Sequence, residues 1–386
     1  MPKKVGMSDY AAELITDAGA IGPIEDRWRE LAVARSNGFI TPEWFRAWWE
    51  TQGWRCCSPL VSVARRPDGE IAGVMPLVLD ESSRPRAIRF GGASIGDRFH
   101  PAADADEEEA VAAATAEALE AAGHGGRMLL LEHAESKRRW WRRMQRVAAA
   151  EKTIVVQKPT TALYVDLAHL DWDGYLSSRS KNFRKQARRA ERALVRDHAM
   201  ALRVSTEATL EADLAELFRL HDLRLAGFGG SSLGPAARRA LGLFAASAMG
   251  RGWLRLTTME ADGGPVAACL GWRVGEAVAS YQGGFDPAWS KLGVGFALET
   301  MMVRAAIEEG ASEYDFLLGT EAWKHRFAGR GRPTHTAVVV RPRGPVWMLV
   351  AAEARARRLA ERIENRHALR SVARSMHRMI PTARRS

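Results

Sequence analysis

The sequence predicts an α/β protein that is made of two similar units. The chain has 386 residues, a length that fits two domains or one large one. Each half has a hairpin with Asp-Gly in its turn, then a helix that ends at glycine, then a hydrophobic strand. The strand covers 127–132 in the first half and 313–318 in the second. A repeat on this scale indicates duplication of an α/β unit.

The chain is basic, but most of its charge lies at one end. The formal net charge is +10 and the pI is about 9.9. These values predict an anionic partner such as a nucleotide, a nucleic acid, an acidic glycan or a membrane surface. Residues 341–386 contain twelve arginines and three glutamates and therefore carry +9. The total charge thus says little about an active site elsewhere in the chain.

The cysteines show no metal or disulfide pattern. Cys56, Cys57 and Cys269 have neither the spacing of a zinc site nor that of a disulfide framework. We therefore expect no metal and a reducing, cytoplasmic environment. The N-terminal stretch lacks the apolar core of a signal peptide. No apolar run is long enough to cross a bilayer.

An aromatic helix is expected near the start of the chain. Thr41 fits its N-cap and Pro42 its first helical position. Aromatic residues four apart form one broad face. This face could bind a sugar or a nucleobase, but we favour a place in the core for Trp44, Phe45, Trp48 and Trp49.

The remaining elements follow from turn signals and hydrophobic patterns. In the first half we expect a hairpin at 62–79, a helix with an acidic start at 107–122, and a basic helix at 138–146. In the second half we expect a strand at 162–167, a long helix at 175–194, three strands within 253–285 and a helix at 294–309.

A glycine-containing loop before the last of these helices predicts a phosphate site. Glycines allow backbone amides to approach a ligand, and a helix N-terminus favours anions. The alternative is an ordinary strand-to-helix loop. Neither a P-loop nor a dinucleotide fingerprint is present. We assign cofactor binding to Ser290, Lys291, Leu292, Gly293, Val294 and Gly295.

The same loop carries a resemblance to a known superfamily. Lys-Leu-Gly-Val-Gly at the start of a helix resembles the acyl-CoA pyrophosphate loop of GNAT acetyltransferases, although the usual Arg/Gln-x-x-G-x-G/A pattern is met only loosely. The stretches "KNFRKQARRAERAL", "PVAACLGWR", "YQGGFDPAWSKLGVG" and "YDFLLGTEAWKHRFAG" resemble the CelD/BcsL type, which is associated with cellulose and exopolysaccharide biosynthesis. "FITPEWFRAWW" and "GEIAGVMPLVL" resemble its N-terminal half.

The resemblance covers about residues 25–340 and implies a fold and a cofactor. It implies tandem GNAT-like domains with mixed central sheets, and kinship with Fem-type peptidyl transferases. It also implies acetyl-CoA or another acyl-CoA as co-substrate, without a metal. We divide the chain into a degenerate GNAT-like domain at 1–160, a GNAT acyltransferase domain at 161–342 and a basic amphipathic helical tail at 343–386.

Two charged residues near the last strand are the catalytic candidates. Acyl transfer needs a group that accepts a proton from the nucleophile and a group that stabilises the oxyanion. Asp315 lies in an apolar strand, where burial would raise its pKa, and Lys324 follows nine residues later. The alternative is a structural ion pair between the two. Glu321 is a second candidate for the base.

Several residues are assigned to the acceptor, although each also has a structural explanation. Asp97 and His100 lie where the resemblance implies a cleft between the domains, and His100 is also a candidate base. Lys181, Lys185, Arg188 and Arg192 form one basic stripe, with Arg184 beside it. The stripe could equally be a solvated helix face. The assigned residues are Asp97, His100, Lys181, Arg184, Arg188, Tyr281 and Gln282.

These features together predict an acyl-CoA-dependent acyltransferase that modifies an amine or a hydroxyl in a ternary complex. The acceptor would be a small molecule such as a sugar or a precursor of an envelope polysaccharide, by resemblance alone. One alternative is a Fem-type transferase that uses aminoacyl-tRNA, and another is a non-catalytic GNAT-like binding protein. A helix from Pro345 to Met376 could bind an anionic membrane surface or pack onto the protein.

Overall fold

The structure is a computed structural model that describes residues 9–135, 137–150, 154–231 and 233–340, together with Trp347, Met348 and Ala352. Apart from these three, the predicted tail at 343–386 lies outside the described residues. Both predicted α/β units lie within the described part of the chain.

Thirteen strands form one mixed sheet within the described residues. Their bounds are β1 Ala11–Ile15, β2 Cys57–Arg65, β3 Ile71–Asp80, β4 Ala87–Phe90, β5 Ala102–Ala103, β6 Met128–Glu135, β7 Ile154–Asp166, β8 Ala201–Val204, β9 Leu254–Ala261, β10 Gly264–Val274, β11 Ala277–Phe285, β12 Glu313–Leu318 and β13 Arg330–Val340.

The α-helices lie between these strands. Their bounds are α1 Glu25–Ala34, α2 Pro42–Thr51, α3 Glu108–Ala121, α4 Arg139–Ala150, α5 Trp172–Ser177, α6 Lys181–His198, α7 Leu210–Leu225, α8 Pro235–Gly250, α9 Val294–Glu308 and α10 Lys324–Phe327. The predicted hairpin is β2–β3, the three predicted strands are β9–β11, and the helices predicted at 107–122 and 294–309 are α3 and α9. These predictions are confirmed.

The two halves of the sheet repeat one topology. In the first unit, β1 to β4 are antiparallel neighbours, and β4 pairs in parallel with β6 after α3. In the second unit, β8 to β11 are antiparallel neighbours, and β11 pairs in parallel with β12 after α9. The predicted duplication of an α/β unit is therefore confirmed.

The units exchange their last strands and so share one continuous sheet. β7 follows the first unit in the chain but pairs with β12 of the second. β13 follows the second unit but pairs with β6 of the first. β7 and β13 pair with each other from Arg330↔Tyr164 to Val340↔Ile154. The expected domain limit at residue 160 falls inside β7, and the division into domains stays a prediction.

The aromatic helix α2 belongs to the core. Thr41 caps it by accepting a hydrogen bond from the amide of Trp44 at 3.2 Å, and Pro42 begins it. Trp44, Phe45 and Trp48 are buried. The ring of Trp44 lies 5.0 Å from that of Phe244 in α8, which joins the two units. The core interpretation is thus confirmed for these three residues.

The expected long helix at 175–194 is two helices. α5 ends at Ser177 and α6 begins at Lys181. The Ser180 hydroxyl accepts a hydrogen bond from the amide of Phe183 at 3.2 Å, and this N-cap starts a new helix. As predicted, Phe183, Ala187, Ala190 and Leu194 are buried and the basic stripe faces away from the core.

Close packing between β11 and α7 depends on one glycine. A Cβ added to Gly284 would lie 2.2 Å from the amide nitrogen of His221, in the backbone of α7. A Cβ added to the adjacent Gly283 would lie 3.6 Å from its nearest neighbour, an ordinary contact. Gly284 therefore permits α7 to pack directly on β11.

We predict that Gly284→Ala lowers the free energy of unfolding by about 1–3 kcal/mol, because the added methyl forces the strand and helix apart. Gly283→Ala is the matched control and should change it by less. Urea denaturation of both variants tests this. Equal midpoints for the two would contradict the proposed close approach.

Candidate active site

A cavity of about 700 Å³ lies between the two units. Residues 93–97 of the first unit form one wall, and β10, β11, β12 and the start of α9 form others. β11 and β12 pair only from Ala277↔Glu313 to Ala279↔Asp315, so the strands separate beyond this point. The separation opens the sheet along residues 280–285, which all line the cavity.

A bulge on β11 directs Tyr281 toward the first unit. The register between β10 and β11 shifts here, so Tyr281 is an extra residue on its strand. Its hydroxyl donates a hydrogen bond to the carbonyl of Ile95, and this contact holds residues 93–97 against the second unit. Tyr281 and Gln282 both line the cavity, as an acceptor-binding role requires.

The loop before α9 opens backbone amides to the cavity. Gly293 is the helix N-cap with φ 69°, a conformation that glycine adopts without strain. A Cβ added to Gly295 would lie 3.0 Å from the ring of Phe285. The first N–H groups of a helix lack intrahelical partners and attract anions. Lys291 and Leu292 do not line the cavity, whereas Ser290, Gly293, Val294 and Gly295 do.

The corresponding helix of the first unit is unsuited to phosphate. The residue before α3 and its first two residues are all glutamates, Glu107, Glu108 and Glu109. Glu108 is buried and forms ion pairs with Arg35 at 3.2 Å and Arg138 at 2.6 Å. The acids repel a phosphate at the position where α9 has glycine. Of the two helix starts, that of α9 is therefore the one suited to bind an anionic cofactor.

Asp97 is a partly buried carboxylate in the cavity wall. Its Oδ2 accepts a hydrogen bond from the amide of Leu318 at 3.3 Å. Burial raises the pKa of Asp97 to about 6, although that amide and the charge of Lys324 act in the opposite direction. Among the described residues, no cation lies within ion-pair distance of it. At neutral pH this carboxylate is ionised and can accept a proton.

Lys324 lies in the cavity wall near Asp97. Its Nζ donates a hydrogen bond to the carbonyl of Leu318 and forms an ion pair with Glu321 at 3.1 Å. An ammonium group has three N–H donors, so one is left for a ligand. Lys324 and Asp97 therefore place opposite charges at the point where β11 and β12 separate.

One family model matches within the second unit. Residues 181–325 match the acetyltransferase (GNAT) domain. This part of the chain is therefore similar to a GNAT domain. No curated protein matches the sequence.

Solved structures share the fold at low sequence identity. FemX superposes with a TM-score of 0.62 at 12% identity, covering 88% of this chain and 99% of its own. The C-terminal domain of a putative lysylphosphatidylglycerol synthetase from Agrobacterium fabrum has a TM-score of 0.55 at 13% identity, covering 86% and 96%. A Bacteroides thetaiotaomicron protein of unknown function has a TM-score of 0.53 at 12% identity, covering 84% and 99%.

The predicted fold class is confirmed by these matches and by the repeated topology. The chain is an α/β protein with tandem GNAT-like units. The units share one mixed sheet rather than having separate sheets, because β7 and β13 are exchanged. The predicted C-terminal helix lies outside the described residues.

Asp315 does not have the position that its predicted catalytic role needs. It is 1% exposed and absent from the cavity wall. Its carboxylate forms ion pairs with Arg98 and, at 3.1 Å, with Arg332. The amide of Leu317 donates to it at 2.8 Å. The alternative of an ion pair is correct in kind, but the partners are two arginines and not Lys324. Asp315 locks the second unit to the first through Arg98.

The other acceptor candidates lie away from the cavity. His100 is fully buried, with Asn37 at 3.1 Å and the carbonyl of Pro101 at 2.8 Å. Burial lowers the pKa of His100 well below its usual value, so it stays neutral. The helix α6 residues Lys181, Arg184 and Arg188 do not line the cavity either. None of these four residues therefore lines the cavity.

Two cavity residues were missed by sequence analysis. Glu299 is buried in α9 and accepts a hydrogen bond from the hydroxyl of Tyr314 at 2.9 Å. Burial raises the pKa of Glu299. An acid within the apolar stretch "VGFALETMM" was an available signal. Arg224 of α7 also faces the cavity, and nothing in its local sequence distinguishes it from other helical arginines.

Among the described residues, no cluster of His, Cys, Asp and Glu side chains could hold a metal ion. No helix in the same part of the chain is long and apolar enough to cross a membrane.

We predict that Asp315→Ala lowers the free energy of unfolding by about 3–5 kcal/mol, because it removes the buried carboxylate that pairs with both Arg98 and Arg332 and leaves Arg98 with Glu135 alone. Asp97→Ala is the matched control, since Asp97 has no ion-pair partner among the described residues. Chemical denaturation of both variants measures the difference. An Asp315 variant as stable as the Asp97 variant would show that the ion pair does not join the units.

Proposed function

We propose that the protein is an acyl-CoA-dependent acyltransferase that modifies an amine or a hydroxyl. The supporting observation is that three features meet in one cavity: the open start of α9, the separation of β11 from β12, and the ionisable Asp97. The likeness of residues 181–325 to the GNAT domain agrees with this chemistry.

The start of α9 would hold the pyrophosphate of acyl-CoA. The backbone amides of the first helical turn would donate to its oxygens, and the Ser290 hydroxyl lies in the same wall. Lys291 lies outside the wall, so backbone amides rather than this side chain would bind the phosphates. When bound, acyl-CoA supplies an activated thioester. The opening between β11 and β12 gives its acyl end a path towards Asp97.

Asp97 would accept the proton of the attacking amine or hydroxyl. The third N–H of Lys324 would donate to the carbonyl oxygen as negative charge develops on it. A covalent acyl-enzyme is not needed. Burial raises the pKa of the Cys269 thiol above its ordinary value, so this cavity cysteine stays protonated and is a poor nucleophile.

Several finer assignments rest on the sequence alone. We propose acetyl-CoA as donor and a sugar or envelope-polysaccharide precursor of the CelD/BcsL pathway type as acceptor. N-transfer and O-transfer are both compatible with the chemistry of Asp97. We further propose a cytoplasmic location, with the tail at 343–386 as a contact to the inner membrane surface.

A Fem-type transfer from aminoacyl-tRNA is the second candidate. The fold likeness to FemX and the exposed basic residues of α6, Lys181, Lys185, Arg188 and Arg192, favour it. Binding through such a stripe would weaken steeply with salt. A third candidate is a GNAT-like protein that binds a partner without catalysis. Thermal shift with acetyl-CoA, CoA and tRNA separates them, since a ligand of the native state raises the melting temperature.

We predict that CoA raises the melting temperature of the wild-type protein and that Gly295→Asp abolishes most of this increase. An added acid repels the pyrophosphate at the start of α9. Because its Cβ would lie 3.0 Å from the ring of Phe285, each shift is measured against the variant's own unliganded melting temperature. Pantetheine, which lacks the pyrophosphate, is the control ligand, and any shift it causes should persist in the variant. A CoA shift that survives Gly295→Asp would place the phosphates elsewhere.

We predict that kcat/KM falls below about pH 6 as Asp97 becomes protonated, because its pKa is raised to about 6. Asp97→Asn should lower kcat by about 10²–10⁴-fold and remove this limb of the pH profile.

The same variant has a stability signature. An unfolded aspartate titrates near about 3.9, so the folded state binds the proton more tightly and the ionised carboxylate costs stability above pH 6. Asp97→Asn should therefore melt no lower than wild type at pH 8. An active Asp97→Asn enzyme with an unchanged pH profile would exclude Asp97 as the base.

A further inference from the structure

Arg224 is a cation in the cavity wall without a partner of its own. It lies in the last turn of α7 and lines the cavity. Its Nε is buried and has no hydrogen-bond partner. Within the described ranges, no carboxylate lies within ion-pair distance of its guanidinium. A favourable contact with the helix dipole explains a cation in this turn, but it does not explain a buried, unpaired N–H.

The other cations of the cavity wall are already engaged. Lys324 contacts the carbonyl of Leu318 and the carboxylate of Glu321. Arg326 donates to the side chain of Gln186 at 2.6 Å. Arg224 differs from both, because its fork of N–H donors remains available to a ligand.

Burial of the Arg224 Nε makes its lack of a hydrogen-bond partner unfavourable for the stability of the free protein. Removal from water lowers the pKa of Arg224, and the charges of Glu321 and Glu299 compensate only in part. Arginine nevertheless stays charged in proteins. The Arg224 side chain is partly exposed, but its Nε is out of contact with solvent and has no hydrogen-bond partner. A buried donor without a partner destabilises the free protein, and a bound anion would relieve this cost.

The position of Arg224 points to the acceptor rather than the cofactor. Helix α7 packs into the hydrophobic core that includes the buried residues of the first unit, through Leu214, Leu217 and Leu220. α9, whose start faces the phosphates in the proposed function, packs into a second core with α6. α7 and α9 thus cover opposite faces of β11. Arg224 approaches the cavity from the face that also carries Leu233 and Ala237 of the α8 region.

We propose that the acceptor carries a carboxylate, and that Arg224 binds it. The planar guanidinium matches a carboxylate with two parallel hydrogen bonds. One unpaired guanidinium balances one monoanion, which favours a carboxylate over a phosphate dianion. The acceptor class is therefore an amine or a hydroxyl compound with a carboxylate, such as an amino acid, a peptide or an acidic sugar. This inference rests on the proposed function, because an acceptor is defined by the acyl transfer. Binding of the carboxylate can nevertheless be measured without turnover.

The test is thermal shift with matched ligand pairs, in the presence and in the absence of CoA. The pairs are L-alanine with L-alaninamide, L-lysine with L-lysinamide, and galacturonic acid with galactose, each at millimolar concentration. Glucosamine 6-phosphate is added as a phosphate probe. We expect at least one carboxylate to raise the melting temperature more than its neutral partner.

The variants assign that shift to one side chain. Arg224→Gln should weaken binding of the carboxylate by about tenfold or more, and Arg224→Lys by less. Arg219→Gln is the matched control, since Arg219 lies on the same helix, is 49% exposed and pairs with Glu216 at 2.6 Å. It should leave binding unchanged. Arg224→Gln should itself melt no lower than wild type, because the buried charge is removed.

The possible outcomes separate this inference from the proposed function. Equal shifts with both members of every pair, or a carboxylate shift that survives Arg224→Gln, would overturn the inference. A shift with the phosphate probe alone, lost in Arg224→Gln, would also overturn it in favour of a phosphorylated acceptor. A missing shift with CoA would count against the acyl-CoA proposal, whereas the carboxylate pairs measured without CoA would still test Arg224.

Discussion

The buried ion pair between Arg98 and Asp315 holds the two units in the arrangement on which the cavity depends. Arg98 belongs to the first unit and Asp315 to strand β12 of the second. Arg98 is also held by Glu135 at 2.7 Å, and Asp315 by Arg332 at 3.1 Å. Asp97 precedes Arg98 directly in the chain and lines the cavity. The network around Arg98 therefore anchors the backbone next to this cavity residue.

Duplication gave the two units one topology but different tasks. The second unit keeps a glycine-containing helix start and an opening between its parallel strands. In the first unit the same helix start is acidic. Phe99 and Phe90 stack at 5.4 Å beside the parallel pair β4 and β6. An aromatic core thus stands in the first unit where the second has a cavity, and residues 93–97 supply its wall. The exchange of β7 and β13 holds the two units together around the cavity, because they cannot separate without breaking the hydrogen bonds of the shared sheet.

Local sequence predicted much of the fold and part of the site. Turn residues marked the hairpins, Pro42 marked α2, and glycines marked the start of α9. These signals act over a few residues, so they are visible in the sequence. The role of Asp315 was not predictable in this way, because Arg98 lies 217 residues away in the chain. The strand exchange and the unpaired state of Arg224 likewise depend on contacts between distant segments. The sequence correctly indicated that Asp97 faces a cleft, but its raised pKa follows from burial by both units.

We propose that the cavity between the units binds acyl-CoA from the α9 side and an acceptor from the α7 side. A crystal structure with CoA and the carboxylate probe of highest affinity tests this most directly. We expect the pyrophosphate at the amides of Val294 to Phe296, the CoA sulfur between β11 and β12 near Asp97, and the carboxylate on Arg224. Pyrophosphate bound at the start of α3, or CoA bound outside the cavity, would contradict it.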